Sequence, residues 1–350
     1  MSESLTLTVI PLMGLELPLL PGPGVKVISN RTETVFFPGA EIYLSNNPDT
    51  ISGLLGKVNP EFLKLPALQK VQEATGIHSL LYSFDLKPGS GTDEVMALCS
   101  TATRYRILCG IEHALWRVKD NNVSLWEMWF LDSAGTTENW GPLHLNTNCE
   151  GMWLGGTEFT EDELATAIGF LNGPMWHDEL FLGIAKGYVT IYGGNIVHSE
   201  DTTRIRRCLN FLDHARTVGD IGLRVVMYVT CLETLFSTDA SELTHKLAER
   251  VAWFIGEDTM DRMEVFANVK RVYDVRSKII HGAVPKGECE KLVVEAKSAD
   301  HLLRKIVNKI YGHPECAELF LSGCQSFEEH RQSFEKYFNH LVFDRPPSIV

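Results

Sequence analysis

The chain carries no C-x-x-C pair among its eight cysteines, and no histidines grouped at zinc spacing. A structural zinc site needs four such ligands close together, so neither a zinc finger nor a stapled secreted scaffold is expected. Cys99, Cys109, Cys149, Cys208, Cys231, Cys289, Cys316 and Cys324 read as ordinary thiols. No run approaches the roughly 18 uninterrupted apolar residues of a membrane span. The start, MSESLTLTVIPLMGLELPLL, has acid where a secretory leader has base, so a cytoplasmic protein without membrane association is expected. The glycine-rich pieces WLGGT and YGGN lack the spacing of a phosphate or dinucleotide cradle and read as turns. No repeat or low-complexity tract is present, and neither a cofactor nor a metal is expected.

Positive charge is scarce in one part only. Residues 1 to 198 hold 11 Lys and Arg against 22 Asp and Glu, whereas residues 199 to 350 hold 21 against 23. An acidic lobe repels phosphate at long range, while a near-neutral lobe with clustered cations can hold it. Any contact with nucleic acid therefore belongs to the C-terminal part.

What is present divides the same way. The 350 residues suffice for two domains with their own cores. Short β-like runs (LTLTVIPL, VKVIS, ETVFFPGAEIYLS) lie between PGPG and NNPD turns, followed by a helical pattern from Asp93 to Val118 and a strand-like SLWEMWFL. An α+β domain over residues 1–197 is expected. Trp116, Trp126, Trp129, Trp140, Trp153 and Trp176 concentrate there, and read first as core.

From His198 onward long helices are predicted, giving an all-α domain over residues 198–350. TTRIRRCLNFLDHARTV, IGLRVVMYVTCLETLFS and SELTHKLAERVAWFIG come first, although VVMYV in the second also suits a strand. DTMDRMEVFANVKRVYDVRSKIIHG follows, opening on Asp258 and stopping at Gly282, and two further helices close the chain.

That fourth helix contains an anomaly. On a wheel with Phe266 as origin, Val269, Tyr273 and Ile280 fall at about −60°, −20° and −40°, and Arg276 falls among them near −80°. His281 sits at the edge, near +60°. A guanidinium in an apolar stripe needs a carboxylate partner, an anionic ligand or a wet cleft. Glu233, the lone acid of the second helix, is one candidate partner.

The acid in CLETLF, the ELTHKLAERVAWFIG pattern and the Tyr-x-x-Arg-Ser-x-x-x-His-Gly ending together resemble a HEPN domain, of the ApeA-like branch, over residues 198 to 345. The resemblance implies an all-α HEPN bundle that dimerises around the fourth helix, with Arg276 and His281 as the catalytic R-x4-H pair of each protomer. Glu233, Tyr273 and Ser277 would support that pair, although the position of Ser277 is often Asn, Asp or His in the superfamily. Lys270, Arg271, Lys278 and Lys286, with Arg204, Arg206 and Arg207, would follow RNA phosphates. The implied activity is metal-independent endoribonuclease cleavage, of transfer RNA for example. Its implied setting is anti-phage defence by abortive infection, with a phage-derived trigger sensed by residues 1–197.

The bare spacing also fits Arg207 with His214, but these lie in the first helix, where the resemblance places no site. Two other readings remain open. The helical domain can be a HEPN module without turnover, serving dimerisation or RNA binding, with Arg276 tied to Glu233 and His281 as a helix cap. Alternatively, the tryptophan-rich part houses a small-molecule enzyme using His177, Asp178 and Glu179.

Overall fold

The computed structural model describes residues 5–28, 42–47, 49–50, 53, 56, 79–86, 110–125, 128–132, 137–140, 145–152, 155–172, 189–192, 195–198, 203–238, 243–282, 289–313, 316, 319–320 and 327–343. The chain divides into two compact units. Residues 1–148 and 152–180 form the first, and residues 149–151 with 181–350 form the second.

The first unit is built on β1 (Leu5–Met13), whose LTLTV start alternates as a strand does and whose later residues are covered on both faces. Val9, Ile10 and Leu12 are buried. β1 pairs antiparallel with β5 (Ser79–Leu86) on one side and with β7 (Met128–Asp132) on the other, so that Val9 stands opposite both Tyr82 and Trp129. β3 (Val25–Ile28), β4 (Ile42–Ser45) and β8 (Thr137–Trp140) extend the sheet to the order β3-β4-β5-β1-β7-β8, with β6 (Ser124–Leu125) also on β1. A small parallel pair joins β2 (Leu15–Glu16) to β9 (Thr157–Glu158).

Two helices, α1 (residues 110–118) and α2 (Glu161–Leu171), supply Ile111, Leu115, Leu164, Ala167 and Leu171 to a core shared with Leu12, Leu15, Val27 and Leu44. Trp116 is fully buried in this unit. Trp129 and Trp140 lie on β7 and β8, while Trp126, Trp153 and Trp176 fall outside the described residues. Gly24 holds a tight approach to β4: with φ +93°, an added Cβ would stand 2.1 Å from the Leu44 carbonyl oxygen.

The second unit opens with a hairpin, β10 (Val189–Tyr192) and β11 (Asn195–His198), and is otherwise helical over its described residues. Its helices are α3 (Arg204–Thr217), α4 (Ile221–Phe236), α5 (Leu243–Ile255), α6 (Thr259–Ile280), α7 (Cys289–Gly312) and α8 (Phe327–Phe343). The VVMYV segment is helical: Val225, Val226, Tyr228, Val229, Cys231 and Leu232 are all buried, because α4 packs against α3, α6 and α7. Burial over most of the circumference, with Leu223 on the exposed side, blurs the periodicity that marks a surface helix. Caps fall where hydroxyl and carboxylate side chains predict them, with Thr203, Asp220 and Asp258 each accepting a backbone N–H in the first turn.

Phe236, Phe254, Phe320, Phe334 and Phe338 form an edge-to-face cluster where α4, α5 and α8 converge. Tyr228 and Arg304 both reach the buried Asp300 carboxylate, tying α4 to α7. The five described cysteines are free thiols, with Cys289 the exposed one. No described helix is long and apolar enough to cross a membrane.

Candidate functional site

Helix α6 buries little of itself. Over 22 residues only Val265, Val269 and Val272 are buried, on the stripe that contains Arg276. That stripe meets α4, and the second neighbour is α5. Arg276 and Glu233 face each other across the α4–α6 seam at 3.5 Å, with side chains 26% and 19% exposed. The separation is well beyond the 2.7–2.9 Å of a strong charge-assisted bond, so the pair is loose. The Arg276 Nε is buried and finds no hydrogen-bond partner among the described residues. Its guanidinium carbon lies 5.5 Å from the centre of the Tyr273 ring.

Tyr273 completes a chain of contacts across three helices. Its phenol lies near Glu233 of α4 and Thr244 of α5, and both act on it. Burial, with the nearby negative charge of Glu233, pushes the Tyr273 phenol above its ordinary range. Glu233 thus borders both Tyr273 and Arg276, and pairs with the guanidinium only at long range.

His281 is the C-terminal cap of α6, followed by Gly282 in the left-handed region at φ +76°. Its backbone N–H donates to the Ser277 carbonyl at 3.1 Å, and its side chain is exposed. Five residues of helix set it about 140° around the axis from Arg276, so the two do not share a face. Met263 falls on the face of His281, and Met260 lies beside it. Both methionines are exposed, by 63% and 74%, and so is Ile280, by 53%.

The expected cationic rim separates into occupied and open positions. Arg271 is committed to Glu295 at 2.7 Å and to Asn268 at 2.8 Å. Lys278 pairs with Asp274 one turn earlier at 2.7 Å. Arg204 donates to the Thr234 and Ser237 carbonyls, closing the end of α4, and burial together with Arg207 and Arg250 pulls it down to about 10. Lys270 is exposed and has no ion-pair partner among the described residues, its ammonium lying 5.5 Å from the Phe266 ring. Arg206 is half-buried on α3, and Lys286 lies outside the described residues, as do His177, Asp178 and Glu179. Arg207 and His214 lie on the exposed side of α3 rather than in a helix seam.

Two contributors were not expected from sequence, Thr244 and the His245 that edges onto the Phe266 ring at 5.3 Å. Both lie within ELTHKLAERVAWFIG, but no spacing rule links α5 to α6, so only packing identifies them. Compared with protein-family models, curated proteins and solved structures, the chain matches none.

Proposed function

We propose that the protein is a metal-independent endoribonuclease of the HEPN type, in which Arg276 and His281 from two copies of α6 act on one phosphodiester. The observation that carries this reading is Arg276: a guanidinium in a buried stripe, loosely held by one carboxylate, with Nε unpartnered. A guanidinium held by one distant carboxylate at a partly exposed seam can turn its donors to a phosphate, whereas one directed at close fixed acceptors cannot.

The chemistry follows from the residue types. The ribose 2′-oxygen attacks the adjacent phosphorus, the bond from phosphorus to the 5′-oxygen breaks, and a 2′,3′-cyclic phosphate and a 5′-hydroxyl result. Histidine takes the 2′-hydroxyl proton or supplies one to the leaving oxygen, and arginine stabilises the charge that develops on the phosphoryl oxygens. Because the two side chains of one α6 point apart, the reading requires a second copy. The exposed Met260 and Met263 beside the face of His281 support such a seam. Transfer RNA as substrate, and a defence role in which residues 1–197 respond to a phage-derived trigger, extend the same proposal.

The test is cleavage of total and transfer RNA by the purified chain in EDTA, with product ends analysed. Cyclic phosphate ends from the parent, and loss of cutting in both Arg276→Ala and His281→Ala, are expected. Mixing the two inactive variants should recover activity that neither has alone. Cutting that survives both substitutions removes the assignment. A second reading, a HEPN module that binds or dimerises without turnover, draws on the Arg276–Glu233 pair, and predicts that these variants assemble and bind RNA as the parent does while no form cuts.

A further inference from the structure

Along α6 aromatic rings and cations alternate: Phe266 and Tyr273 border α5, Lys270 is exposed between them, and Arg276 follows at the α4 seam. Phe266 and Tyr273 are half-buried rather than sunk in the core, and Lys270 is exposed between them. Seven residues of helix space their Cα atoms about 10 Å along the axis, and the Lys270 ammonium lies 5.5 Å from the Phe266 ring. His245 from α5 meets the Phe266 ring edge-on at 76°, widening the aromatic surface at that end. At the other end the Arg276 guanidinium lies against the Tyr273 ring.

Among the described residues of α6, no acidic side chain lies on the side of Phe266 and Tyr273. Asp274 is turned further round the helix and neutralised by Lys278, and Glu233 lies beneath, engaged by Tyr273 and Arg276. Ring, cation, ring, cation is the pattern that a single-stranded nucleic acid matches, since its bases offer π-faces and each nucleotide adds one phosphate. A duplex keeps its bases stacked inside and presents only backbone, so the rings would have nothing to hold.

We propose that this row is a track for single-stranded RNA, with one base stacked on Phe266 beside His245, the next on Tyr273, and phosphates on Lys270 and Arg276. It commits the protein to unpaired RNA such as a loop or a frayed end. What happens at Arg276 rests on the ribonuclease reading, but the binding itself does not.

The experiment uses the full chain carrying His281→Ala in EDTA, titrated into a short fluorescein-labelled single-stranded oligoribonucleotide and into a duplex of the same length. Single-strand binding about 10-fold tighter than duplex is expected, with Phe266→Leu weakening it about 5- to 10-fold and Phe266→Trp restoring it. Leucine keeps the volume and removes the π-face, so the fold is retained. Lys270→Gln should flatten the logarithmic salt dependence by about one unit. Equal affinity for the duplex, no binding at all, or parent-like affinity in both variants overturns the proposal. So does conversion of a dimer to a monomer by Phe266→Leu, which would assign the face to a second copy. If the chain with His281 intact binds through these residues but never cuts, the ribonuclease reading falls and the track stands. If it cuts while Phe266→Leu leaves both Kd and KM unchanged, the track falls and the ribonuclease reading stands.

Discussion

Arg250 and Arg276 are both half of an arginine–glutamate pair between helices, yet their surroundings differ in every respect that matters. Arg250, on α5, is 7% exposed and donates to the Phe236 carbonyl at 2.6 Å, to Thr238 at 3.1 Å and to Glu335 of α8 at 2.6 Å. Arg276 has one carboxylate at 3.5 Å and an empty Nε. The first region shows an arginine used to join helix ends, with its donors directed at fixed acceptors. The second shows one held in place without being consumed. Counting satisfied donors separates the two where residue type cannot.

The largest effect expected from this contrast is on turnover. Arg276→Ala and His281→Ala should each lower kcat at least about 100-fold, the usual scale for losing a proton-transfer or charge-stabilising group. Arg250→Met should leave chemistry per folded molecule unchanged. Single-turnover RNA cleavage on protein of verified circular dichroism measures both, and an equal loss in Arg250→Met would erase the distinction.

Stability should show the reverse. Arg250→Met leaves the Phe236 carbonyl and the Glu335 carboxylate without their donor, which costs about 2–3 kcal/mol. Arg276→Met should cost less than about 1 kcal/mol, because its partner is partly hydrated and loosely bound. Urea midpoints decide this, and a larger loss at Arg276 would make it the structural arginine after all.

The Glu335 pair also predicts a pH dependence. Burial alone would raise the Glu335 carboxyl, but bonds from Thr238 and Arg250 outweigh it and hold the carboxyl below its ordinary value. A lowered folded value means that the stabilisation is present above the unfolded carboxylate pKa of about 4.3 and is lost as pH falls through the folded value. The stability gap between the parent and Glu335→Gln should therefore be constant near neutrality and shrink in acid below about pH 4. A gap unchanged down to pH 2 would deny the ionic contribution.

Smaller again is the response of Tyr273. Glu233→Gln removes a charge that raises the phenol, so ultraviolet titration should show Tyr273 ionising at lower pH, with burial keeping part of the elevation. The smallest effect is expected at Lys278, whose exposed pair with Asp274 should change stability by at most about 0.5 kcal/mol in Lys278→Gln.

Much of this was legible before any coordinates. The strand pattern of LTLTVIPL became β1, Asp258 and Gly282 bounded α6 as cap chemistry requires, and the Glu233 partner of Arg276 was named from a wheel and a lone acid. Less legible was α4, where VVMYV carried two meanings until packing against α3, α6 and α7 buried most of it. The cationic rim was the least legible feature. Lys270, Arg271 and Lys278 look alike in sequence, but Glu295 arrives from α7 to occupy Arg271, and Asp274 lies one turn before Lys278.

The sequence by itself determined where α6 starts and stops and that a guanidinium would sit beside Val269, because these follow from local periodicity and capping; the buried stripe runs through Val265, Val269 and Val272, while Ile280, expected on it, is exposed. Tertiary structure alone decided that Thr244 and His245 stand beside Tyr273 and Phe266, that Arg276 is loosely paired while Arg250 is tightly bound, and that Lys270 has no ion-pair partner among the described residues. Those outcomes depend on which side chains meet across helices distant in the chain, and helix-to-helix distances are set by packing rather than by spacing along the sequence.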